Sequence, residues 1–179
     1  EPFRHAQAEA ALAACLGVEV AMYGWLPAYE KLHAVRARLG LPALAATEGH
    51  GTTEYMRFAG GYGVTLECGR HDDPASVEVG ARAIRGALAR LGLVDAPAPA
   101  PSVTRLIRLA DVIVRESAGD RLEGTWKTGD AVKAGEIFAR RGDGRAVAAR
   151  CDGCLVFPDP GAEIGAGLTY FAVALERPI

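Results

Sequence analysis

The stretch GYGVTLECGRHDD, residues 61–73, joins the pattern of a buried strand to a polar end. From Tyr62 to Leu66, apolar side chains occupy every second position, which is the period of a β-strand. Glu67 then places a carboxylate directly after the apolar run. An ionised group taken out of water needs a partner, a metal ion or a catalytic role. The stretch therefore predicts a buried strand that ends in a glutamate with a specific task.

The composition narrows the class of protein. The chain has 179 residues, half of them hydrophobic, with a formal net charge of −2 and no run of Lys or Arg. This charge argues against a nucleic-acid partner or an anionic membrane surface, and no apolar run approaches the roughly 20 residues of a membrane span. Four cysteines and no signal-peptide pattern suit a reducing cytoplasm. Because the chain opens at Glu1 without a methionine, we expect it to be part of a longer protein.

Helices and short strands alternate around the quoted stretch. The helical segments combine good helix formers with a following glycine or an amphipathic period, whereas the strand segments are short and apolar. The predicted helices are 5–16, 26–39 and 52–58, and the predicted strands are 18–24 and 42–48. Such alternation predicts an α/β fold, with a mixed or parallel sheet and flanking helices, for residues 1–94.

A long amphipathic helix follows the quoted stretch. Asp73 and Pro74 predict its start, as an N-cap carboxylate and a proline at the first helical position, and Gly92 predicts its end. Apolar residues recur at alternating four- and three-residue steps, which places them on one face of the helix. This apolar stripe consists of Val77, Ala81, Ile84, Leu88 and Leu91.

The composition changes at residues 95–102, DAPAPAPS, where alternating prolines predict a stiff, extended linker. Beyond this linker the helical period disappears, and short alternating runs are separated by Gly and Asp-Gly turns. Residues 103–179 are therefore predicted to form a small all-β barrel or sandwich domain.

Two patterns resemble parts of metal sites. Cys151-Asp-Gly-Cys154 provides half of a zinc site, but Cys15 and Cys68 do not form a second pair, so we interpret it as an Asp-Gly hairpin turn between two cysteines. The segment from His50 to Glu54 does not have the spacing of a metalloprotease ligand pair. We therefore predict no metal ligands within this chain.

Three residues near the quoted stretch remain as candidates for a functional site. Glu67 is either catalytic or an ion-pair partner of Arg70 or Arg82, and the residues alone do not separate these alternatives. Arg57, on its own, is an ordinary surface arginine. His71 follows the strand end, where loops of α/β sheets form ligand crevices, and we interpret it as a substrate-binding candidate.

The segment ATEGHGTTEYMRFAGGYGVTLECG and the helix ending in LARLGL, between Ala46 and Leu93, resemble the succinylglutamate desuccinylase/aspartoacylase family. Members of this family are zinc hydrolases with a carboxypeptidase-like α/β fold. GDAVKAGE and CDGCLVF also resemble the C-terminal β domain of the family. The resemblance covers essentially the whole chain, as the second half of a longer protein.

This resemblance implies a role for each candidate. Glu67 would be the general base beside a zinc-bound water, and Arg57, ten residues upstream, would grip an acidic substrate through two parallel hydrogen bonds. The zinc ligands of the family include an H-x-x-E pair, which this sequence lacks, so we expect them to precede Glu1. Tyr170 is a candidate for the substrate-contacting tyrosine of the β domain. The implied substrate is a small N-acyl amino acid, an N-acetyl or N-succinyl derivative of aspartate, glutamate or a related diamino acid.

A second function class is a non-catalytic binding or scaffold module whose β domain resembles biotinyl or lipoyl carriers. A carrier hairpin presents a lysine for attachment, whereas here the turn at Asp152-Gly153 is followed by Cys154 and Leu155. The sequence therefore favours the zinc-dependent amidohydrolase. The sequence is compatible with a homo-oligomer, but no motif in it indicates one.

Overall fold

The computed structural model of the chain describes residues 3–43 and 51–175, so the predicted strand at 42–48 lies almost entirely outside the described residues. The helices are α1 (Ala6–Ala14), α2 (Trp25–Arg38), α3 (Thr52–Phe58) and α4 (Ala75–Arg90). The strands are β1 (Val20–Tyr23), β2 (Arg105–Val114), β3 (Arg121–Leu122), β4 (Ala131–Val132), β5 (Ile137–Arg140), β6 (Ala146–Ala148), β7 (Gly153–Val156) and β8 (Gly167–Ala174).

The helices form where the local sequence signals predict them. At the start of α4 the Asp73 Oδ1 accepts a hydrogen bond from the Ala75 backbone N–H at 2.9 Å and satisfies one of the free donors of the first turn. The helix begins at Ala75, one residue later than predicted, so Pro74 rather than Asp73 occupies the N-cap position. The helix ends at Arg90, two residues before Gly92. Among the described residues, no helix is long and apolar enough to span a bilayer.

The contacts divide the described residues into two units. The first unit comprises 3–21, 51–106 and Leu175, and the second comprises 22–43 and 107–174. This grouping differs from the predicted division in that α2 belongs with the β-rich part of the chain. The segment 95–102 contains no helix or strand, and its role as a domain boundary stays a prediction.

α2 belongs to the second unit because its apolar face packs on β2. Ala28, Leu32 and Val35 follow one another at four- and three-residue steps and are buried against Val112 and Val114 of β2. These side chains lose most of their contact with water, which provides the main favourable free energy for packing a helix on a sheet.

The second unit contains most of a five-stranded sheet with the order β1-β2-β8-β7-β4, and a three-stranded sheet with the order β3-β5-β6. β2 pairs with β8, β8 with β7 and β7 with β4 in antiparallel fashion. β1 runs parallel to β2, since the Glu19 carbonyl before it accepts from the Thr104 N–H, and Gly24 after it lies against Leu109. The predicted α/β class with a mixed sheet and flanking helices is thus confirmed, but of the strands in the described residues only β1 lies within 1–94, where the sheet was predicted.

The predicted barrel is not formed by the described residues. β1 and β4 lie at opposite ends of the larger sheet, and β3 and β6 at opposite ends of the smaller one, so both sheets are open. β3 and β4 contain only two residues each, which gives them too few hydrogen bonds to carry a closing ladder. The alternating sequence pattern predicts the strands of this region, but it does not determine closure.

Asp120 is a buried carboxylate that links two turns of the second unit. It is 3% exposed. Its Oδ1 accepts hydrogen bonds from the Ser117 hydroxyl at 2.7 Å and the Gly142 N–H at 2.8 Å, and its Oδ2 accepts from the Glu116 N–H at 2.9 Å and Arg141 Nη1 at 2.7 Å. Burial raises the pKa of the Asp120 carboxyl, but the four hydrogen bonds outweigh burial and hold this pKa well below its usual range.

We expect Asp120→Asn to lower the free energy of unfolding at pH 7 by about 3 kcal/mol, because the amide removes the charge and turns an N–H group towards buried donors. The folded-state pKa is depressed, so the contribution of the carboxylate is present above the unfolded-state value of about 3.9 and is lost as the pH falls through the folded-state value. Urea unfolding of both proteins between pH 7 and pH 3 checks this. The difference in unfolding free energy between the wild type and Asp120→Asn should become smaller towards pH 3. A difference that stays constant over this range would contradict a stabilising, ionised Asp120.

Candidate functional site

Residues 61–70, which carry Glu67, contain no strand, so the predicted strand is wrong as an element of a sheet. A strand requires a hydrogen-bonded neighbour, and none of the described residues pairs with this segment. The period of two is nevertheless visible in the burial, because from Val64 to Gly69 half-buried and exposed residues alternate. Glu67 lies on the exposed side of the segment, so the expectation of a carboxylate taken out of water at the end of a buried strand is wrong.

Side-chain hydrogen bonds, rather than a β-ladder, hold this segment in place. The Glu9 carboxylate of α1 accepts from the Gly63 N–H at 3.2 Å. The hydroxyl of Thr53 in α3 lies 2.8 Å from that of Thr65. Glu67 follows two residues after this second contact, so the backbone that leads to its carboxylate is anchored on two helices.

Arg57 of α3 is bound by the same Glu9 carboxylate. The Arg57 Nε donates to the Glu9 Oε1 at 2.7 Å, and its Nη2 donates to Oε2 at 2.9 Å, which is the two-pronged geometry of a strong charge-assisted pair. The guanidinium also stacks on the Phe3 ring, 3.7 Å from its centroid. Its Nη1 lies 3.7 Å from the Glu54 Oε1. The arginine that the family resemblance assigns to the substrate therefore has an internal carboxylate as its partner.

The turn after Glu67 is organised by its own residues. Gly69 adopts φ of +123°, and a Cβ at this position would lie 2.7 Å from the Ser76 Oγ, so both the backbone and the space require glycine. The Ser76 hydroxyl donates to the Arg70 carbonyl at 2.8 Å, which joins the turn to α4. Arg70 also donates to both Asp72 oxygens, at 2.8 and 2.7 Å. His71 stands exposed in the middle of this turn.

The ion-pair alternative for Glu67 receives no support from the described residues. Arg70 is paired with Asp72, and its hydrogen bond holds the pKa of the Asp72 carboxyl below the usual value. The Arg82 side chain lies beside Gly17, at the end of α1. Within residues 3–43 and 51–175, Glu67 forms neither an ion pair nor a side-chain hydrogen bond. An exposed carboxylate without a counter-charge is available for a proton-transfer role.

The structure links two of the three predicted site residues indirectly. Arg57 and the segment that carries Glu67 share the Glu9 carboxylate, whereas no hydrogen bond or ion pair among the described residues joins Arg57, Glu67 or His71 directly. Sequence analysis did not identify Glu9, which is 7% exposed. The available signal was that Glu9 is the only charged residue of α1, inside an alanine-rich run.

The two cysteines of the C-x-x-C pattern have different environments. Cys151 is exposed, whereas Cys154 is buried within β7. The interpretation as an Asp-Gly hairpin is wrong, because Gly153 already belongs to β7, which pairs with β4 and β8 and not with the preceding strand. Residues 3–43 and 51–175 contain no group of three or more His, Cys, Asp or Glu side chains placed to hold a metal ion. His50 lies outside these residues.

Tyr170, the candidate from the β domain, is half-buried on β8. Its ring packs edge-on against Trp25 of α2, with the ring centroids 5.3 Å apart. This contact gives Tyr170 a role in the packing of the second unit, and its contact with a substrate stays a prediction.

Solved structures of known proteins share the fold of this chain. Succinylglutamate desuccinylase from Vibrio cholerae matches with a TM-score of 0.56 and 19% identity over 86% of this chain and 47% of that chain. The enzyme of the same name from Vibrio parahaemolyticus matches with a TM-score of 0.52 and 15% identity, over 88% and 48%. A succinylglutamate desuccinylase/aspartoacylase from Rhodobacter sphaeroides matches with 0.51 and 20%, over 88% and 53%.

These structural similarities establish the fold of this chain and how much of each neighbour it covers. The structural neighbours are succinylglutamate desuccinylase/aspartoacylase family proteins, as the sequence resemblance predicts, and this chain spans about half of their length. At 15–20% identity, such a likeness concerns the fold alone. No protein-family model matches the chain, and no curated protein matches it in sequence.

Proposed function

We propose that this chain is part of a hydrolase that cleaves the amide bond of a small N-acyl amino acid, with Glu67 as its general base. The observation that carries this proposal is an exposed Glu67 carboxylate, without a counter-charge among the described residues, on a segment anchored by Glu9 and Thr53. General-base catalysis requires a carboxylate that is free to accept a proton and that sits on an anchored backbone. The names of the structural neighbours, desuccinylase and aspartoacylase, support the same class of reaction.

Glu67 can move one proton through the whole reaction. The carboxylate accepts a proton from a water molecule as the water oxygen attacks the carbonyl carbon of the amide. When the carbon–nitrogen bond breaks, the protonated Glu67 delivers the same proton to the leaving nitrogen. The products are a carboxylic acid and an amine, and Glu67 returns to its starting state. The anchors at Gly63 and Thr65 hold the backbone that leads to Glu67.

Zinc is part of the proposal, but its ligands have to come from outside the described residues. A catalytic zinc uses three protein ligands, and residues 3–43 and 51–175 do not form such a set. The described residues therefore do not fit a zinc site by themselves. In the proposed enzyme the ligands lie N-terminal to Glu1, as the resemblance implies, and this chain contributes the base and the substrate-binding residues.

We expect the 179-residue chain to retain well below one zinc ion per molecule after dialysis against a chelator, because its sequence motifs and residues 3–43 and 51–175 provide no set of three ligands. The longest polypeptide that its gene encodes should retain about one zinc ion per molecule under the same conditions. Metal analysis of both proteins after dialysis measures the difference. Stoichiometric zinc in the 179-residue chain would contradict the prediction, and Cys151→Ser and His50→Ala would then locate the ligands.

Arg57 and His71 are proposed to bind the acidic part of the substrate. Because Glu9 occupies two of the guanidinium nitrogens, Arg57 can bind a substrate carboxylate only by exchanging Glu9 for it or by using Nη1, which lies near Glu54. His71 is exposed and can reach a ligand without such an exchange. We place the enzyme in the cytoplasm, with a small N-acyl amino acid as its partner.

The structure of the second unit does not support the alternative of a non-catalytic module that resembles biotinyl or lipoyl carriers. Gly153 lies within β7, so the Asp152-Gly153 pair does not form the tip of a hairpin. The neighbouring lysine, Lys133, donates to the Asp152 Oδ2 at 2.8 Å and follows β4 rather than a turn apex. We therefore do not propose a carrier function.

A further inference from the structure

One face of α4 is apolar and open to solvent. Val77, Ile84 and Leu91 follow one another at seven-residue intervals, and their exposed fractions are 76%, 63% and 48%. Seven residues are close to two turns of a helix, so the three side chains form a line along α4 and its C-terminal cap. We call these three residues the α4 stripe. An aligned set of large apolar side chains in contact with water is typical of an interaction surface.

The contacts of α4 within the first unit use a different face. Ala83 and Gly86 are the buried residues of the helix. A Cβ at Gly86 would lie 2.2 Å from the Cys15 carbonyl oxygen, which shows how closely α4 approaches the end of α1. The α4 stripe is therefore not the face that attaches the helix to its own unit. α3 of the same unit also exposes large apolar side chains, at Tyr55 and Phe58.

The charged side chains of α4 do not form a border around the α4 stripe. Arg85 is paired with Glu78 at 3.0 Å, and the Arg82 side chain lies beside Gly17, at the end of α1. The α4 stripe is therefore recognised through its aliphatic side chains, and a partner with an apolar surface of similar length would be complementary.

The greater length of the structural neighbours indicates which polypeptide covers the α4 stripe. The chain matches 86–88% of its own length to 47–48% of the two Vibrio enzymes, so about half of each neighbour has no counterpart here. We propose that the α4 stripe is the docking surface for the polypeptide that corresponds to this unmatched half, which would present an aliphatic surface to it. The inference concerns assembly of the fold and does not depend on the proposed hydrolysis.

Hydrogen–deuterium exchange of α4 tests the inference. The experiment compares the 179-residue chain with the longest polypeptide that its gene encodes, at equal and low concentration. We expect the amides of α4 to exchange at least about tenfold more slowly in the longer polypeptide, because a covered helix opens less often. Ile84→Asp should remove most of this protection. The matched control is Ile164→Asp, which changes an exposed isoleucine of the second unit and should leave the protection of α4 unchanged.

Two results would overturn the proposal. Equal exchange of α4 in the two polypeptides would show that the unmatched half does not cover the stripe. Protection in the 179-residue chain that increases with its own concentration, together with a dimer in sedimentation equilibrium that Ile84→Asp abolishes, would identify a second copy as the occupant. Circular dichroism of Ile84→Asp verifies that the isolated chain keeps its helices. Since neither measurement uses substrate or zinc, failure of the proposed hydrolysis would not affect the result.

Discussion

Glu67→Gln is expected to lower the turnover of the metal-containing enzyme by about 10²–10⁴, since glutamine has almost the shape of glutamate but cannot accept the proton of the attacking water. The structure adds an expectation about stability. Glu67 is exposed and forms no ion pair among the described residues, so the amide should leave the melting temperature close to that of the wild type. Loss of turnover with unchanged stability is the signature of a catalytic carboxylate.

The measurement combines turnover of N-acetyl and N-succinyl amino acids with thermal unfolding on the same preparation, using the longest polypeptide that the gene encodes. Glu163→Gln is a matched control, because Glu163 is also exposed but lies in the second unit. Zinc content is determined for each variant, so that loss of metal is not mistaken for loss of the base. Wild-type turnover in a folded, zinc-containing Glu67→Gln enzyme would remove Glu67 from the mechanism. A large fall in melting temperature would instead favour a structural role.

The segment around Glu67 also shows which features a sequence can predict. Alternation from Val64 onwards correctly indicates which side of the segment faces solvent, because this depends only on the backbone period and on local apolarity. Whether the segment forms a strand depends on a neighbour distant in sequence, and the local pattern contains no information about that neighbour. The same reasoning applies to the β domain, where the strands are predictable but closure into a barrel is not.

The environment of Arg57 could not be predicted for a similar reason. Its partner Glu9 lies 48 residues earlier in the chain, and many exposed carboxylates are equally plausible partners in a sequence. The hydrogen bond from the Ala75 N–H to Asp73 at the start of α4 is predictable because donor and acceptor are two residues apart. An ion pair between α1 and α3 is determined by how the helices pack. The family resemblance supplied the position of Arg57 but not the carboxylate that holds it.

Arg57→Ala is expected to affect stability as well as substrate binding. Glu9 and Arg57 have side chains that are only 9% and 23% exposed, and removing the arginine leaves a buried carboxylate without its counter-charge. Such a loss costs about 3–5 kcal/mol of unfolding free energy. Arg85→Ala is the matched control, because the Arg85–Glu78 pair lies on the surface and contributes about 0–1 kcal/mol. Urea unfolding at pH 7 measures both variants.

A double-mutant cycle with Glu9→Ala separates the structural role of Arg57 from its proposed role in substrate binding. If Arg57 serves mainly to neutralise Glu9, the double variant should be more stable than the sum of the two single losses predicts, because no charge is then left buried alone. If Arg57 also binds the substrate carboxylate, the double variant should still have a KM raised about tenfold or more for acidic substrates, at a temperature where it is fully folded. Arg57→Lys keeps the charge but loses the two-pronged geometry, so it should recover part of the stability and little of the KM. An Arg57→Ala protein as stable as the wild type would contradict the buried pair, whereas a wild-type KM in the folded double variant would leave Arg57 with a structural role alone.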